Sequence, residues 1–255
     1  MRFSLRGALA AAFVLAMCAV CVRLGFWQLD RLQQRKARNY VQEQALRMAT
    51  LDYDSATAEA IERDPGVFLN RRMRAAGRYD PAGEVVLRGR ADQGRPGVHL
   101  VTPLVVPGAP RALLVNRGWV PSPDAATVDA RAWAEPGART VEGILMEIPR
   151  GTKNGGEPAR QGGITSYRRL DLDVLRRAQR RPIARLYLQQ LPGADSASGR
   201  PPVRVSLPPA GNGPHLSYAF QWFSFAAVGL VGLLVVFLRR GREKTPGDGG
   251  IRPIP

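Results

Sequence analysis

The chain has 255 residues and a formal net charge of +16, from 37 Lys and Arg against 21 Asp and Glu. The excess is spread along the chain, because residues 1–39 carry +6, residues 40–214 carry +7 and residues 215–255 carry +3. No sustained basic tract is interleaved with aromatic residues, so the composition argues against a nucleic-acid partner and favours membrane lipid or acidic protein surfaces.

The first apolar segment runs from residue 7 to residue 29 and is interrupted by Arg23. About 20 mostly apolar residues span a bilayer, and an arginine near one end extends its guanidinium to the interface. A signal peptide is the alternative, since two arginines precede the segment. No small-x-small cleavage site follows, so we expect an uncleaved transmembrane helix at 8–29 after a short segment, 1–7.

Both cysteines of the chain, Cys18 and Cys21, lie in this helix as a CxxC pair. In a soluble protein the spacing would indicate redox or metal chemistry. Within an apolar helix no second pair of ligands is at hand, which favours two small apolar side chains over copper handling. The middle of the chain has no cysteine, so no disulfide stabilises it.

The middle segment, residues 30–214, is rich in Gly and Pro and has no long apolar run. Three helical stretches are predicted. Residues 33–48 continue the first span as a polar stalk, residues 55–63 form a short helix, and residues 171–181 form another that ends before Pro182.

Strands outnumber helices in the same segment, as short stretches rich in β-branched or aromatic residues bounded by Gly or Pro. With only two short helices, these strands favour a mainly antiparallel, barrel- or sandwich-like sheet, because a parallel α/β fold needs longer crossover helices. The predicted strands cover residues 71–79, 84–90, 98–106, 111–120, 140–148, 164–170, 185–191 and 203–207.

Motifs of the common enzyme classes are missing from the sequence. It has no Gly-rich phosphate loop, no nucleophile elbow and no His, Cys and carboxylate cluster with metal-ligand spacing. Of the two histidines, His99 lies in a predicted strand and is interpreted as a packed or partly exposed strand residue. We therefore predict no catalytic residues and a protein that is not an enzyme.

The strongest predicted strand ends in Asn116, Arg117, Gly118 and Trp119, before Pro121. Glycine permits close backbone approach or a positive φ, and proline stops the strand. Arginine beside tryptophan allows stacking or a surface anchor. A structural corner is the favoured interpretation, and a partner-binding segment made of these four residues is the alternative.

The second apolar segment, residues 215–238, opens with His215. Tyr218 and Trp222 follow three and seven residues later and therefore share one helix face with it. Such residues form the aromatic belt of many membrane helices. They also suit a ligand site, since a neutral imidazole binds metal or haem iron and aromatic neighbours cover a flat macrocycle.

Basic residues predict the orientation of this helix. Four of them follow it, whereas none precedes it back to Arg204, so the positive-inside rule places the tail, residues 239–255, in the cytoplasm. Both termini are then cytoplasmic, and residues 30–214 lie outside. The first helix alone predicts the opposite orientation, because more basic residues follow it than precede it. We give the second helix more weight, because its basic residues lie on one side only. The four residues are Arg239, Arg240, Arg242 and Lys244.

The predicted fold class is therefore a membrane protein of α+β type. Two transmembrane helices flank an extracytoplasmic, mainly antiparallel β domain, barrel- or sandwich-like, with one or two short helices. In this topology Trp27 and Arg31, one turn apart, lie at about the depth of His215. Arg31 or Arg23 can pair with haem propionates, so the two helix ends form one predicted cleft at the outer leaflet.

Four motifs, in order, resemble those of the surfeit-locus-one family of cytochrome c oxidase assembly proteins. One departure is Gly213-Pro214, which stands where the family often has Asn-Asn. The motifs are LGFWQLDR at 24–31 (family LGxWQLxR), GRYD at 77–80 (G-x-Y/F-D), GVHLVTPL at 97–104 with VNRGWVP at 115–121 (TPL…VNRGWVP), and HLSYAFQWF at 215–223 (HxxYAxQWF).

The resemblance implies a bacterial cell-membrane protein that helps to mature the haem-a-containing catalytic subunit of a haem-copper oxidase. It makes that subunit, and haem a synthase, the expected partners. A histidine matching His215 is implicated in haem a binding in some bacterial members. We therefore expect transient haem a with His215 as axial ligand, lined by Tyr218, Trp222, Trp27 and Arg31. A cofactor-free scaffold that docks oxidase subunits is the alternative.

Overall fold

The structure is a computed structural model, and it forms two compact units. One, the helical unit, combines Met1–Tyr40 with Ala210–Pro255, and the other, the β domain, covers Val41–Pro209. Most of the predicted cytoplasmic tail, including Lys244, lies outside the described residues. The described residues are 5–151, 158–161, 164–193, 201–206 and 211–242.

Two long helices, α1 at Leu5–Arg47 and α4 at His215–Arg242, are long and apolar enough to cross a membrane. At 1.5 Å per residue the 43 residues of α1 extend about 65 Å, roughly twice the hydrocarbon thickness of a bilayer. The polar stalk predicted at 33–48 is thus confirmed as a continuation of the first helix. The predicted span limits, 8–29 and 215–238, refer to a bilayer and stay predictions.

Within the helical unit, α1 and α4 pack antiparallel through small residues. Gly25 lies against the ring of Phe223, which a side chain at position 25 would overlap. Farther along, Cys18 contacts Ala226 and Gly229. Small residues let helix backbones approach closely, and in lipid this close packing is what holds two helices together.

The β domain has nine strands and two short α-helices among its described residues. The helices α2 (Ser55–Arg63) and α3 (Leu172–Ala178) confirm both predicted short helices. Each begins at an aspartate, Asp54 or Asp171, whose carboxylate accepts backbone N–H groups of the first turn. The strands are β1 Leu51–Asp52, β2 Arg72–Tyr79, β3 Val85–Asp92, β4 Arg95–Val105, β5 Ala112–Pro121, β6 Ala138–Glu147, β7 Ala159–Gln161, β8 Ile164–Tyr167 and β9 Ile183–Gln190.

Five of these strands close into a barrel in the order β2-β6-β9-β5-β4. The ring closes where β2 pairs with β4, at Tyr79 opposite Leu104. Strand β3 pairs with the rest of the same edge of β4 and continues the sheet to β8 and β7. Most pairs are antiparallel, as predicted, but β1–β2, β3–β8 and β5–β9 are parallel. Of the predicted strand at 203–207, the described residues 203–206 form only a single bridge, Val203 to Trp119.

Strand β5 lies at the centre of this architecture, since every residue from Ala112 to Val120 is buried. Leu113 and Val115 belong to a core to which all five barrel strands contribute, and α2 covers it with Ile61. Leu114 points to a second core under α3. Each fully buried aliphatic side chain stabilises the fold by about 1.5–3 kcal/mol, so the strand that carries the Asn116–Trp119 segment is firmly held.

Candidate functional site

The turn before α4 places His215 at the first residue of the helix. Gly213 adopts a left-handed conformation with φ of 69°, which glycine reaches without strain. The carbonyl of Pro214 accepts hydrogen bonds from the backbone N–H of Tyr218, at 3.1 Å, and the hydroxyl of Ser217, at 2.7 Å. The Gly-Pro pair that departs from the family pattern therefore forms a well-bonded helix start.

His215 contacts α1 through Gln28. The His215 Nδ1 lies 2.9 Å from the Gln28 Oε1, within the helical unit. Gln28 belongs to the first family motif, but the sequence analysis did not place it in the site. No periodicity along one helix indicates which residue of another helix it will meet, so the antiparallel pairing was the missing information.

The aromatic neighbours of His215 on α4 differ in their surroundings. Trp222 packs against the Cys18, Cys21 and Ala226 cluster and meets the ring of Phe225 edge-on, at 6.0 Å between centroids. Tyr218 keeps 47% of its surface exposed. The helical face predicted from spacing is present, but Trp222 lies in the seam between the helices and only Tyr218 is open.

Trp27 and Arg31 pair with each other on α1. The guanidinium carbon of Arg31 lies 5.6 Å from the centroid of the Trp27 ring, and its Nη1 donates to the Gln34 Oε1 at 3.3 Å. Both side chains are exposed. The structure therefore places them together, next to Gln28 in sequence, and available to a ligand or partner.

Two more polar residues of α1 hold the segment that leads into α4. The Arg35 Nε donates to the Gly211 carbonyl at 3.2 Å. The Asn39 Nδ2 lies within hydrogen-bond distance of the same carbonyl, at 3.4 Å, and of the Asn212 Oδ1, at 3.2 Å. These contacts were not predicted, and they fix the start of α4 beside the polar part of α1.

The CxxC pair lies in the packing seam. Cys18 and Cys21 are both buried, and the Cys18 Sγ is 3.5 Å from the Ala226 carbonyl oxygen. Among the described residues there is no group of three or more metal-ligating side chains. Their position agrees with the interpretation as two small apolar side chains of a membrane helix.

Arg117 of the Asn116–Trp119 segment is buried in the β domain with 2% of its side chain exposed. Its Nη1 donates to Glu84 and its Nε to Glu135, both at 2.8 Å, and its Nη2 donates to the Trp133 carbonyl. Burial alone would raise the pKa of Glu135, but Arg204 and Arg117 outweigh it and hold that pKa below its ordinary value.

The other members of this segment are equally enclosed. Gly118 has φ of 116°, and a side chain there would overlap the Val203 carbonyl. The structure therefore shows both the positive φ and the close backbone approach that were predicted for this glycine. The predicted arginine–tryptophan stacking exists, but Arg95 makes it, 5.0 Å from the Trp119 ring. This burial favours the structural corner, and the partner-binding role of the segment stays a prediction.

His99 is confirmed as a packed strand histidine, in β4. Its Nδ1 lies 3.3 Å from the Asn116 Nδ2, which in turn donates to the Gln189 Oε1 at 2.9 Å. Desolvation by burial, helped by the charge of Arg90, lowers the pKa of His99 to about 4. The ring is therefore neutral at physiological pH and contributes to packing and hydrogen bonding.

The β domain also has a polar cleft of about 660 Å³, which the sequence analysis did not indicate. Its walls carry Arg72, Arg139 and Arg204 together with Glu135 and Glu142. Glu135 is paired with Arg139 and Arg204. Much of the charge of the cleft is thus neutralised internally, by the same network that holds Arg117.

Comparison with known proteins identifies the family of the chain. The SURF1 family matches residues 15–227, which include both helix ends and the whole barrel. A SURF1-like protein of Monosiga brevicollis is 28% identical over 253 residues, covering 95% of this chain and 91% of that protein. A SURF1-like protein of Rickettsia bellii is 25% identical over 219 residues, covering 84% and 85%. The chain therefore belongs to the SURF1 family, a family of cytochrome c oxidase assembly factors.

Proposed function

We propose that this protein assists maturation of a haem-copper terminal oxidase by holding haem a, or the nascent haem-bearing catalytic subunit, at the outer surface of a bacterial cell membrane. The observation that carries the proposal is the contact between Gln28 and His215. It joins two family motifs that are 187 residues apart, at the ends of two helices able to span a bilayer.

The residues near this contact suit a haem. An imidazole nitrogen is a common axial ligand of haem iron. Tyr218 and Trp27 offer exposed aromatic surface, Trp222 lies one turn deeper, and Arg31 offers a guanidinium for a propionate. His215 would hold the iron, and the bound haem would supply the redox-active group destined for the oxidase. This function is non-covalent, with haem a synthase as the candidate source of haem.

The orientation in the membrane belongs to the same proposal. An antiparallel α1/α4 pair puts the start of α1 and the end of α4 at the same side, and Arg239 and Arg240 follow the apolar part of α4. The positive-inside rule then puts that end in the cytoplasm. His215 would lie at the opposite side of the membrane, and the predicted topology puts residues 41–209 outside the cytoplasm.

The proposal is tested by haem content. The full-length protein is purified in detergent from cells that make haem a, as wild type, as His215→Ala and as the control Gln221→Ala, whose side chain is exposed on the same helix. We expect a Soret band in wild type and control and at least a tenfold lower haem content in His215→Ala. Unchanged haem in the purified His215→Ala protein, with unchanged haem a in the oxidase, would refute the proposal.

A cofactor-free scaffold is the second candidate function, and one observation favours it. Trp222 is packed against Cys18 and Cys21 in the helix seam, so this ring is already occupied by protein contacts. A scaffold would retain the oxidase subunit without haem. Equal co-purification of that subunit with wild type and His215→Ala, and no Soret band in either, would support the scaffold and exclude the haem site.

A further inference from the structure

The hydrogen bond at His215 determines which ring nitrogen is free. The Nδ1 atom faces an amide oxygen of Gln28 at 2.9 Å. An amide oxygen only accepts hydrogen bonds, so this contact is a hydrogen bond in the tautomer that carries its proton on Nδ1. In an imidazole that carries its single N–H on Nδ1, the lone pair is on Nε2. The bond made by one ring nitrogen fixes the protonation and the metal-binding role of the other.

Contacts on both sides keep the two residues in register. One turn before Gln28, Gly25 lies against the Phe223 ring, and the neighbouring Phe26 meets that ring at 5.4 Å. Beyond Gln28, Arg35 donates to the Gly211 carbonyl, four residues before His215. The helices are thus held together on both sides of the hydrogen bond. Helix packing, and not the hydrogen bond alone, brings Gln28 and His215 together.

Gly213 places no side chain beside the Nε2 atom of His215. A Cβ at this position would lie 3.4 Å from both Nε2 and Cδ2 of His215. Any side chain larger than hydrogen would therefore stand against the edge of the ring that bears the lone pair. Its φ of 69° independently favours glycine. Gly213 thus adds no side chain that would obstruct a metal ion approaching Nε2.

We propose that Gln28 is a positioning residue, which holds His215 as the Nδ1–H tautomer and presents Nε2, beside Gly213, as the iron-binding atom. The inference rests on the proposed function for the identity of the ligand. Outer hydrogen-bond partners of a metal-binding histidine orient the ring and raise its basicity, and their loss costs about 10- to 100-fold in affinity.

The test uses the full-length protein in detergent and ferric haem b (hemin) as probe. Gln28→Leu removes the acceptor at similar size, whereas Gln28→Glu retains an acceptor at the same position. Gln33→Leu is the matched control, because Gln33 is an exposed glutamine on the same helix. Two quantities are measured: the ¹⁵N chemical shifts of the histidine rings without haem, and the hemin Kd from Soret titration.

We expect the ¹⁵N shifts of His215 to show protonated Nδ1 and bare Nε2 in wild type, Gln33→Leu and Gln28→Glu. Gln28→Leu should give a mixture of tautomers and a Kd about 10- to 100-fold higher, with Gln28→Glu within about threefold of wild type. Rescue by Gln28→Glu separates the positioning effect from a folding defect, as does an unchanged thermal unfolding midpoint of Gln28→Leu.

Two results would overturn the inference. One is protonated Nε2 on His215 in the wild-type protein. The other is a Gln28→Leu protein whose tautomer and Kd equal those of Gln33→Leu, while His215→Ala still loses hemin. In that second case the proposed function stands and only the role of Gln28 falls. If His215→Ala binds hemin like wild type, the proposed function fails, and the ¹⁵N shifts alone decide whether Gln28 sets the tautomer.

Discussion

Replacing Arg117 by methionine should destabilise the β domain more than any exposed arginine replacement. The guanidinium is almost fully buried and bonds to two carboxylates. Without it, Glu84, whose side chain is 9% exposed, loses its cation inside the protein. Glu135 keeps Arg204, so it is affected less. Removing one partner of a buried ion pair typically costs about 3–5 kcal/mol, and we expect Arg117→Met to fall in that range.

Urea unfolding of the full-length protein in detergent, followed by tryptophan fluorescence, measures this cost. With a urea dependence of about 2 kcal/mol per M, a loss of about 4 kcal/mol lowers the midpoint by about 2 M. The control is Arg131→Met, an exposed arginine in the same domain, which should change the free energy of unfolding by less than about 0.5 kcal/mol.

A double variant identifies the cause of the loss. Adding Glu84→Gln to Arg117→Met removes the unpaired carboxylate, so about 1–2 kcal/mol of the lost stability should return. A cost for Arg117→Met that matches Arg131→Met would refute the argument, because it would mean that the buried ion pairs add nothing to the stability of the barrel. A double variant less stable than Arg117→Met would refute the role given to Glu84.

Two further predictions concern helix packing and pH. A Cβ at Gly229 would lie 2.7 Å from the Cys18 Sγ, whereas nothing lies within 4 Å of one at Gly232. Mild oxidation should therefore form a disulfide with Cys18 in Gly229→Cys but not in the control Gly232→Cys. Non-reducing peptide mapping detects the disulfide, and equal yields in the two variants would contradict the antiparallel packing. Because the pKa of His99 falls from 6.5 to about 4 on folding, the unfolded chain binds the extra proton between those values. Stability should thus drop by roughly 3 kcal/mol as pH falls through that window, and urea midpoints of His99→Asn should show a flatter pH dependence.

Local patterns were sufficient to predict most elements of the fold. The stretch 55–63 predicts α2, and stretches rich in β-branched or aromatic residues with Gly or Pro boundaries predict most strands, because these signals reside in neighbouring residues. Pairing across long separations was not predictable. The parallel β5–β9 pair and the closure of β2 on β4 depend on residues far apart along the chain. The single bridge at Val203 involves too few residues for a sequence pattern to distinguish it from a strand.

The candidate site shows the same division. The helix face of His215, Tyr218 and Trp222 follows from spacing, whereas Gln28 is identified only by how two distant helices pair. For Arg117 the sequence predicted stacking on the nearby Trp119. The β4–β5 ladder shifts register between Leu100 and Val101, next to Arg117, and the side chain instead enters a network with carboxylates 18 and 33 residues away.

The distance along the chain between α1 and α4 has a consequence for biosynthesis. About 170 residues of β domain separate the two segments of the helical unit, so at 5–20 residues per second α4 is made roughly 10–30 s after α1. During that interval Gln28 has no contact with His215, and the small residues of α1 have no helix to pack against. The proposed ligand site at His215 is therefore complete only after α4 has been synthesised and paired, which would exclude unfinished chains from taking up the proposed ligand.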